Sequence, residues 1–353
     1  GERTPDSQQV SLGIQRQLSQ FWLIDASYSG NFGHHFGAGA YDYNQLDPQH
    51  LELRRSLQDR VPNPYAGKVP GSLGDATLTR LQSLRPYPYY ASINVSEPHL
   101  GNFSYHSLVF SLEKRMSQGL TVLFSHTWSK LLSDSIRSAV DFGGNEQTTT
   151  TGYQDGKYNR AGERSLDPTD APQRAVISAL YELPFGRGKR WGISSPIAEK
   201  MLSGWQVNTI GTLQSGVPLI VRGASNFLAD RPNSTGTSAQ LPRSRRSAER
   251  WFDTTQFVNP PEYTWGNVGR VLPDVRTPAT HNWDLSVIKN TRLTERFSLQ
   301  FRGEAFNFIN HVILTGPNVS FVPGPDGKNR SGTVGVITNA RDARVIQFGL
   351  KLL

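Results

Sequence analysis

The stretch HNWDLSVIKNTRLTERFSLQFRGEAFNFIN, residues 281–310, constrains the fold more than any other. Trp283, Leu285 and Val287 alternate with Asp284, Ser286 and the less polar Ile288. A short polar turn follows at residues 290–294. Phe297, Leu299 and Phe301 then alternate with Ser298, Gln300, Arg302 and Glu304. A period of two puts each set on its own face of a strand. Two such runs joined by a tight polar turn make an antiparallel hairpin. The strands are long, roughly 10–12 residues against a usual five or six. A strand tilted across a bilayer needs about 9–11. On its own, the hairpin fits two settings: a half-exposed soluble sheet, or barrel strands with lipid outside and water inside.

Composition narrows the choice. Hydrophobic residues make up 36% of the 353, and mean hydropathy is −0.46. No stretch is apolar enough for a spanning helix, but alternating strands keep mean hydropathy low, so a barrel is still open. With 33 Gly and 22 Pro the chain is suited to long loops and tight turns. The absence of cysteine excludes a disulfide framework, a thiolate metal site and a Cys nucleophile. The net charge of +8 admits anionic partners. The densest basic run, Arg243, Arg245 and Arg246 with Arg250 nearby, sits in a Pro/Ser/Gly-rich stretch and reads as a solvated loop. No nucleic-acid motif accompanies it, so none is expected as a partner.

Strands are expected at residues 8–15, 21–30, 105–116, 120–128, 173–183 and 204–214, in the opening hairpin, and at 343–353. Between them, short or medium connections alternate with long ones. Residues 16–20, 117–119, 184–203 and 290–295 are the shorter set. Residues 31–101, 129–170, 215–280 and 310–342 are the longer set, with a short helix expected near 47–57 and an irregular run at Thr148–Thr151. In an up-and-down sheet this places every long loop at one end. Outer-membrane barrels have that asymmetry, with short periplasmic turns and long extracellular loops. The expected fold is therefore all-β: about nine long strands of an antiparallel transmembrane barrel. Bacterial barrels have even strand numbers. The odd count, and a chain that opens on Gly1, point to a partner strand before Gly1 and to an open sheet.

The chain resembles the C-terminal half of TonB-dependent receptors of the large acidobacterial, Oar-like type. The resemblance rests on SYSGNFGHHF (27–36), YDYNQL (41–46), VPNPYAG (61–67), LRPYPYY (84–90), LGNFSYHSL (100–108) and FSHTWSK (124–130). It continues through YELPFGRGKR (181–190), GWQVNTIGTLQSGVP (204–218), NWDLSVIKN (282–290) and FRGEAFNFINH (301–311). It implies that residues 1–353 are part of a plugged barrel of about 22 strands, in the outer membrane of a Gram-negative bacterium. The partners it implies are outer-membrane lipid and lipopolysaccharide, a TonB complex acting through an N-terminal plug region, and an imported substrate such as a glycan, peptide or metal chelate. That receptor type usually ends on an aromatic residue, whereas this chain ends on Leu353. The alternatives from other classes are a surface barrel for adhesion or structure, and a soluble all-β glycan-binding protein.

No enzyme chemistry, cofactor or metal is expected. His34 and His35 are adjacent, so a strand would point them apart, and they read as loop residues. Asp326-Gly327-Lys328-Asn329 lacks the spacing and the later Glu of a calcium loop and reads as a turn. Ser, His and Asp occur without a nucleophile elbow. Gln300, Arg302 and Glu304 read as lumen-facing polar residues. Tyr87, Tyr89 and Tyr90 suit stacking on a ligand, or packing within their own loop.

Overall fold

The computed structural model describes residues 3–96, 98–134, 154–228 and 230–353; the run Thr148–Thr151 lies outside them. Nine long strands follow the chain: β1 (Asp6–Gln17), β2 (Trp22–Gly37), β3 (His99–Ser117), β4 (Leu120–Ser133), β5 (Gln173–Glu182), β6 (Trp205–Gln214), β7 (Thr280–Arg292), β8 (Ser298–Phe306) and β9 (Val345–Leu352). Each is hydrogen-bonded to the next in sequence order, and Ser165–Leu166 adds a short tenth strand beside β4. All the pairings are antiparallel. Among the described residues nothing joins β1 to β9, so the sheet is open.

Several strands run past the expected ends. β2 continues to Gly37 and β3 begins at His99. His34 and His35 therefore lie in a strand and not in a loop. The pairing is irregular there, between Gly33 and Phe36, and His35 has φ 58°. The helix expected near 47–57 is a 3₁₀ helix, Pro48–Gln58, capped by Asp47, which accepts the Gln49 N–H at 3.0 Å.

The shorter connections join β1–β2, β3–β4, β5–β6 and β7–β8, and all lie at one end of the sheet. The β3–β4 turn needs only Gln118 and Gly119, with φ of 52° and 81°. Two successive positive φ values define the I′ turn, whose twist matches that of flanking strands. The β5–β6 connection carries a short helix, α1 (Pro196–Leu202). The described residues of the four long loops, 38–96 and 98, 134 and 154–172, 215–228 and 230–279, and 307–344, lie at the other end.

Register fixes the two faces, because directly paired residues share a face. The pairings Val10–Gly30, Leu12–Tyr28 and Ile14–Ala26 lead into Tyr28–Leu108, Ala26–Phe110 and Ile24–Leu112. These continue to Trp128, His126 and Phe124 on β4, and then to Ala175, Ile177, Ala179 and Tyr181 on β5. Beyond them come Val207, Leu213, Trp283, Leu285, Val287, Phe301, Phe348 and Leu350. One face is thus apolar across all nine strands. Gly211 fits this face because Trp283, its direct partner, lies over it: a Cβ there would sit 2.7 Å from the indole. The opposite face carries Gln15, Asp25, Ser111, Glu113, Ser125 and Ser178. These line a cavity of about 440 Å³ spanning β1–β5, so the polar face is concave there.

The buried core lies outside this sheet. Leu219, Val221, Phe252, Phe257, Val268, Val275, Phe321 and Val334 form it, and all belong to the third and fourth long loops. The apolar sheet residues are open: Leu12 is 71% exposed, Ile14 74%, Phe348 75% and Leu350 70%. Soluble proteins rarely expose contiguous apolar patches beyond a few hundred Å². A face this wide needs an apolar solvent, which rules against the soluble glycan-binding alternative. Phe110→Arg, on the apolar face well inside β3, is expected to cost about 2–4 kcal/mol near the bilayer midplane, and Ser111→Arg little. Folding titrations of both variants in lipid vesicles check this; equal costs would contradict the face assignment.

Candidate functional site

The loop end of the sheet carries a folded cap. Besides its apolar core, charged side chains bind the loops together. Arg231 of the third loop and Glu163 of the second form a buried ion pair at 2.6 Å. Arg276 Nη2 meets Asp170 Oδ2 at 2.7 Å, and Arg276 Nη1 donates to the Asp170 carbonyl at 2.6 Å. Buried Arg270 donates to Ser133 O and Oγ at the end of β4, at 2.7 and 2.8 Å. The Arg270 and Arg276 guanidinium groups each take several oxygens at once, in the fixed geometry of a planar fork. The first loop joins through a smaller core of Leu46, Leu57 and Tyr263. It is also held by Arg55, whose Nε and Nη2 donate to the Glu262 carboxylate at 3.0 and 2.8 Å.

Beneath the fourth loop lies an open cavity of about 600 Å³. Its floor is the polar face of β5–β7, with Arg174, Asn282 and Asp284. Its roof is Asn307, Arg341 and Asp342. Asn307 sets the entry into the loop. Its φ is 48°, a left-handed value that Asn tolerates better than most residues. Its N–H donates to Asp284 Oδ1 at 2.9 Å, and its side chain bonds His311 N and O at 3.0 and 2.9 Å. The wall carries two arginines and two aspartates with amide side chains between them, a lining able to orient a polar, zwitterionic or hydroxyl-rich ligand by hydrogen bonds.

The residues singled out from the sequence lie elsewhere. Tyr87, Tyr89 and Tyr90 form a ring cluster on the first loop, together with Tyr43 and Tyr65. Tyr87 stacks on Tyr43 with centroids 6.2 Å apart, Tyr89 meets Tyr65 at 5.3 Å and Tyr90 at 4.9 Å. Buried Asn44 holds this loop, donating to Tyr87 O and Tyr90 O and accepting the Tyr87 N–H. The three tyrosines thus pack within their loop, and Tyr90 also stays 52% exposed. Lys157 of the second loop sits 4.6 Å from the Tyr43 ring centroid, within cation–π range.

Gln300, Arg302 and Glu304 share the polar face of β8. Gln300 donates to Asn290 at 2.9 Å, Arg302 lies 3.5 Å from Glu304, and Gln347 donates to Glu304 at 2.6 Å. They form a cross-strand polar ladder and do not line the 600 Å³ cavity. Asp326–Asn329 is a turn: Lys328 N–H donates to Asp326 Oδ1 and Gly324 N–H to Lys328 O. The basic run is a solvated turn, with Arg243–Arg245 in one 3₁₀ turn and Arg250 paired to Asp253. Among the described residues no group of three or more His, Cys, Asp or Glu could hold a metal.

Two outcomes follow for the cap. Glu163→Gln breaks the buried ion pair with Arg231, and breaking a buried pair costs about 3–5 kcal/mol. Proteolysis should then cut the second loop faster while the strands stay intact. The Arg55 hydrogen bonds hold the Glu262 carboxyl below the usual glutamate range. A depressed pKa contributes stability that is present at neutral pH and lost as pH falls through that depressed value. Hydrogen exchange in residues 48–58 should therefore rise only in acid, and only modestly, because the pair is exposed. Glu262→Gln should show the raised exchange at neutral pH.

No curated protein matches this sequence. Among solved structures, the chain is similar to the crystal structure of the outer membrane transporter YddB from Escherichia coli, at 10% identity and a TM-score of 0.44. That match covers 99% of this chain and 32% of the transporter, so the chain spans about a third of its length. A family model described as an outer membrane beta barrel domain matches residues 2–347, nearly the whole chain. An apolar sheet face open to its surroundings, long loops gathered at one end, and this match have one conclusion in common: the chain belongs to the outer membrane beta barrel domain family and resides in the outer membrane.

Proposed function

We propose that this chain is wall and extracellular loop structure of a TonB-dependent receptor, serving energised uptake of a scarce or bulky solute. The observation that carries the reading is the cap. Three long loops share packed cores, and a fourth-loop roof leaves a polar cavity of about 600 Å³ above the concave face. An ordered loop assembly over a polar cavity suits ligand capture ahead of passage through a lumen. The motif resemblance across residues 27–311 points the same way. In this reading Gln300, Arg302 and Glu304 line the lumen, and exposed Tyr90 with its neighbours offers rings for a glycan, peptide or chelate. The open edges of β1 and β9 pair with further strands of a larger barrel, and the plug and the TonB-contacting segment belong to the rest of that protein. The chain itself performs no catalysis.

Whole-cell uptake tests this. Accumulation of the cognate solute should stop when the inner-membrane proton gradient is dissipated. Tyr90→Ala should lower uptake severalfold with the surface amount of protein unchanged. Energy-independent uptake would contradict the TonB reading. Normal binding to host or mineral surfaces with no uptake at all would favour an adhesive or structural barrel instead.

A further inference from the structure

The β5–β6 connection, residues 183–204, differs from the other turns at its end of the sheet. It folds back on itself: Trp191 N–H donates to Pro184 O at 2.9 Å, and Gly186 N–H to Trp191 O at 3.0 Å. The Trp191 ring packs on Phe185 with centroids 4.9 Å apart. α1 follows, and its Ile197, Met201 and Leu202 stand open, with Ile197 74% exposed. α1 ends beside the apolar face. The Trp205 indole N–H donates to Met201 O at 2.9 Å, and Lys289 Nζ reaches Ser203 O. Trp205 and Lys289 are direct partners on that face.

Between this connection and the β3–β4 turn lies a groove of about 620 Å³. Its apolar lining includes Leu120, Tyr181 and Trp191, and its cations are Lys114, Lys189 and Arg190. Glu182 is the one carboxylate in the lining, and Lys189 Nζ holds it at 2.7 Å. Three cations less one carboxylate leave a charge of +2. The Lys114 ammonium donates to Ser117 O, Ser117 Oγ and Leu120 O, all neutral. Arg190 is exposed and has no ion pair among the described residues. Leu120 and Tyr181 are direct partners on the apolar face, which continues above them through Val122 and Ala179 to Phe124 and Ile177. The groove therefore has a cationic mouth at the strand ends and an apolar floor that runs without a break into the lipid-facing band.

We propose that this groove seats an anionic glycerophospholipid of the periplasmic leaflet. Its phosphate lies against Lys189 and Arg190, and its acyl chains run along Leu120–Val122 and Tyr181–Ala179. Two observations select this occupant: charge complementarity at the mouth, and continuity of the floor with the surface already in contact with lipid. Short turns face the periplasm, so the groove opens into the phospholipid leaflet.

Native mass spectrometry of the whole protein carrying this chain tests the assignment, after exchange into mixed phosphatidylglycerol and phosphatidylcholine micelles. The unaltered protein should retain phosphatidylglycerol over phosphatidylcholine. Each cation near an anionic surface contributes several-fold to binding, so Lys189→Gln with Arg190→Gln should reduce that preference on the order of tenfold. The matched pair Arg292→Gln with Arg296→Gln, at the β7–β8 turn, should leave it unchanged. Trp191→Ala should shorten retention of both lipids while keeping the preference. Soluble glycerol phosphate should not displace the bound lipid. An unchanged preference in the Lys189/Arg190 variant, an equal fall in the control pair, or displacement by glycerol phosphate would overturn the proposal.

Discussion

In hydrocarbon, a backbone N–H or C=O without a partner costs several kcal/mol, and no water is there to take its place. The rest of this structure depends on that constraint. It explains why nine strands pair strictly with their sequence neighbours, in ladders that keep one register across most of each strand. It also explains why irregular backbone is confined to the two ends. Once the ladders are fixed, side chains have only two faces to occupy, and the solvent on each side sorts them.

Hydrophobic burial then works in two separate places. Along the strands, Ile14, Phe110, Phe348 and their neighbours remain exposed in the chain itself, and bilayer lipid covers them. In the cap, which stands in water, the long loops must bury apolar side chains against one another, and they do so around Phe252, Phe257 and Phe321. Loops of this length would otherwise carry a large conformational entropy cost. The buried pair Arg231–Glu163 and the chelating Arg270 and Arg276 fix how the loops meet. The cavity lined by Asn307 and Arg341 lies at this loop end of the sheet.

The strands were legible in the sequence because alternation is local. Trp283, Leu285 and Val287 announce their face without reference to any other strand, and each of the nine runs is a strand in the structure. The alternation of short and long connections was legible for the same reason, and the open sheet from the odd number of strands. Ends were less so: the residues 31–37 that extend β2 are rich in Gly, Asn and His, and only their pairing with β3 makes them strand. The cap was not legible. Glu163 and Arg231 are 68 positions apart, and Leu219 and Phe321 lie in different loops with no periodicity to link them. The cavity was missed too. Asp284 was visible as a polar residue in an alternating run, but its part in shaping the cavity depends on Asn307 folding back onto it. The Tyr87–Tyr90 cluster is legible as a set from its spacing, and its rings pack on one another in the structure.

The central claim is that one continuous face of this sheet lies against lipid and the other against water. Spin labels placed one at a time along residues 107–113 of β3, with the protein in bilayers, test it most directly. The account predicts a two-residue alternation. Labels at 108, 110 and 112 should be relaxed by oxygen dissolved in the bilayer, and labels at 107, 109, 111 and 113 by a water-soluble nickel chelate. Uniform exposure to the chelate along the whole strand, or alternation with the opposite phase, would contradict it.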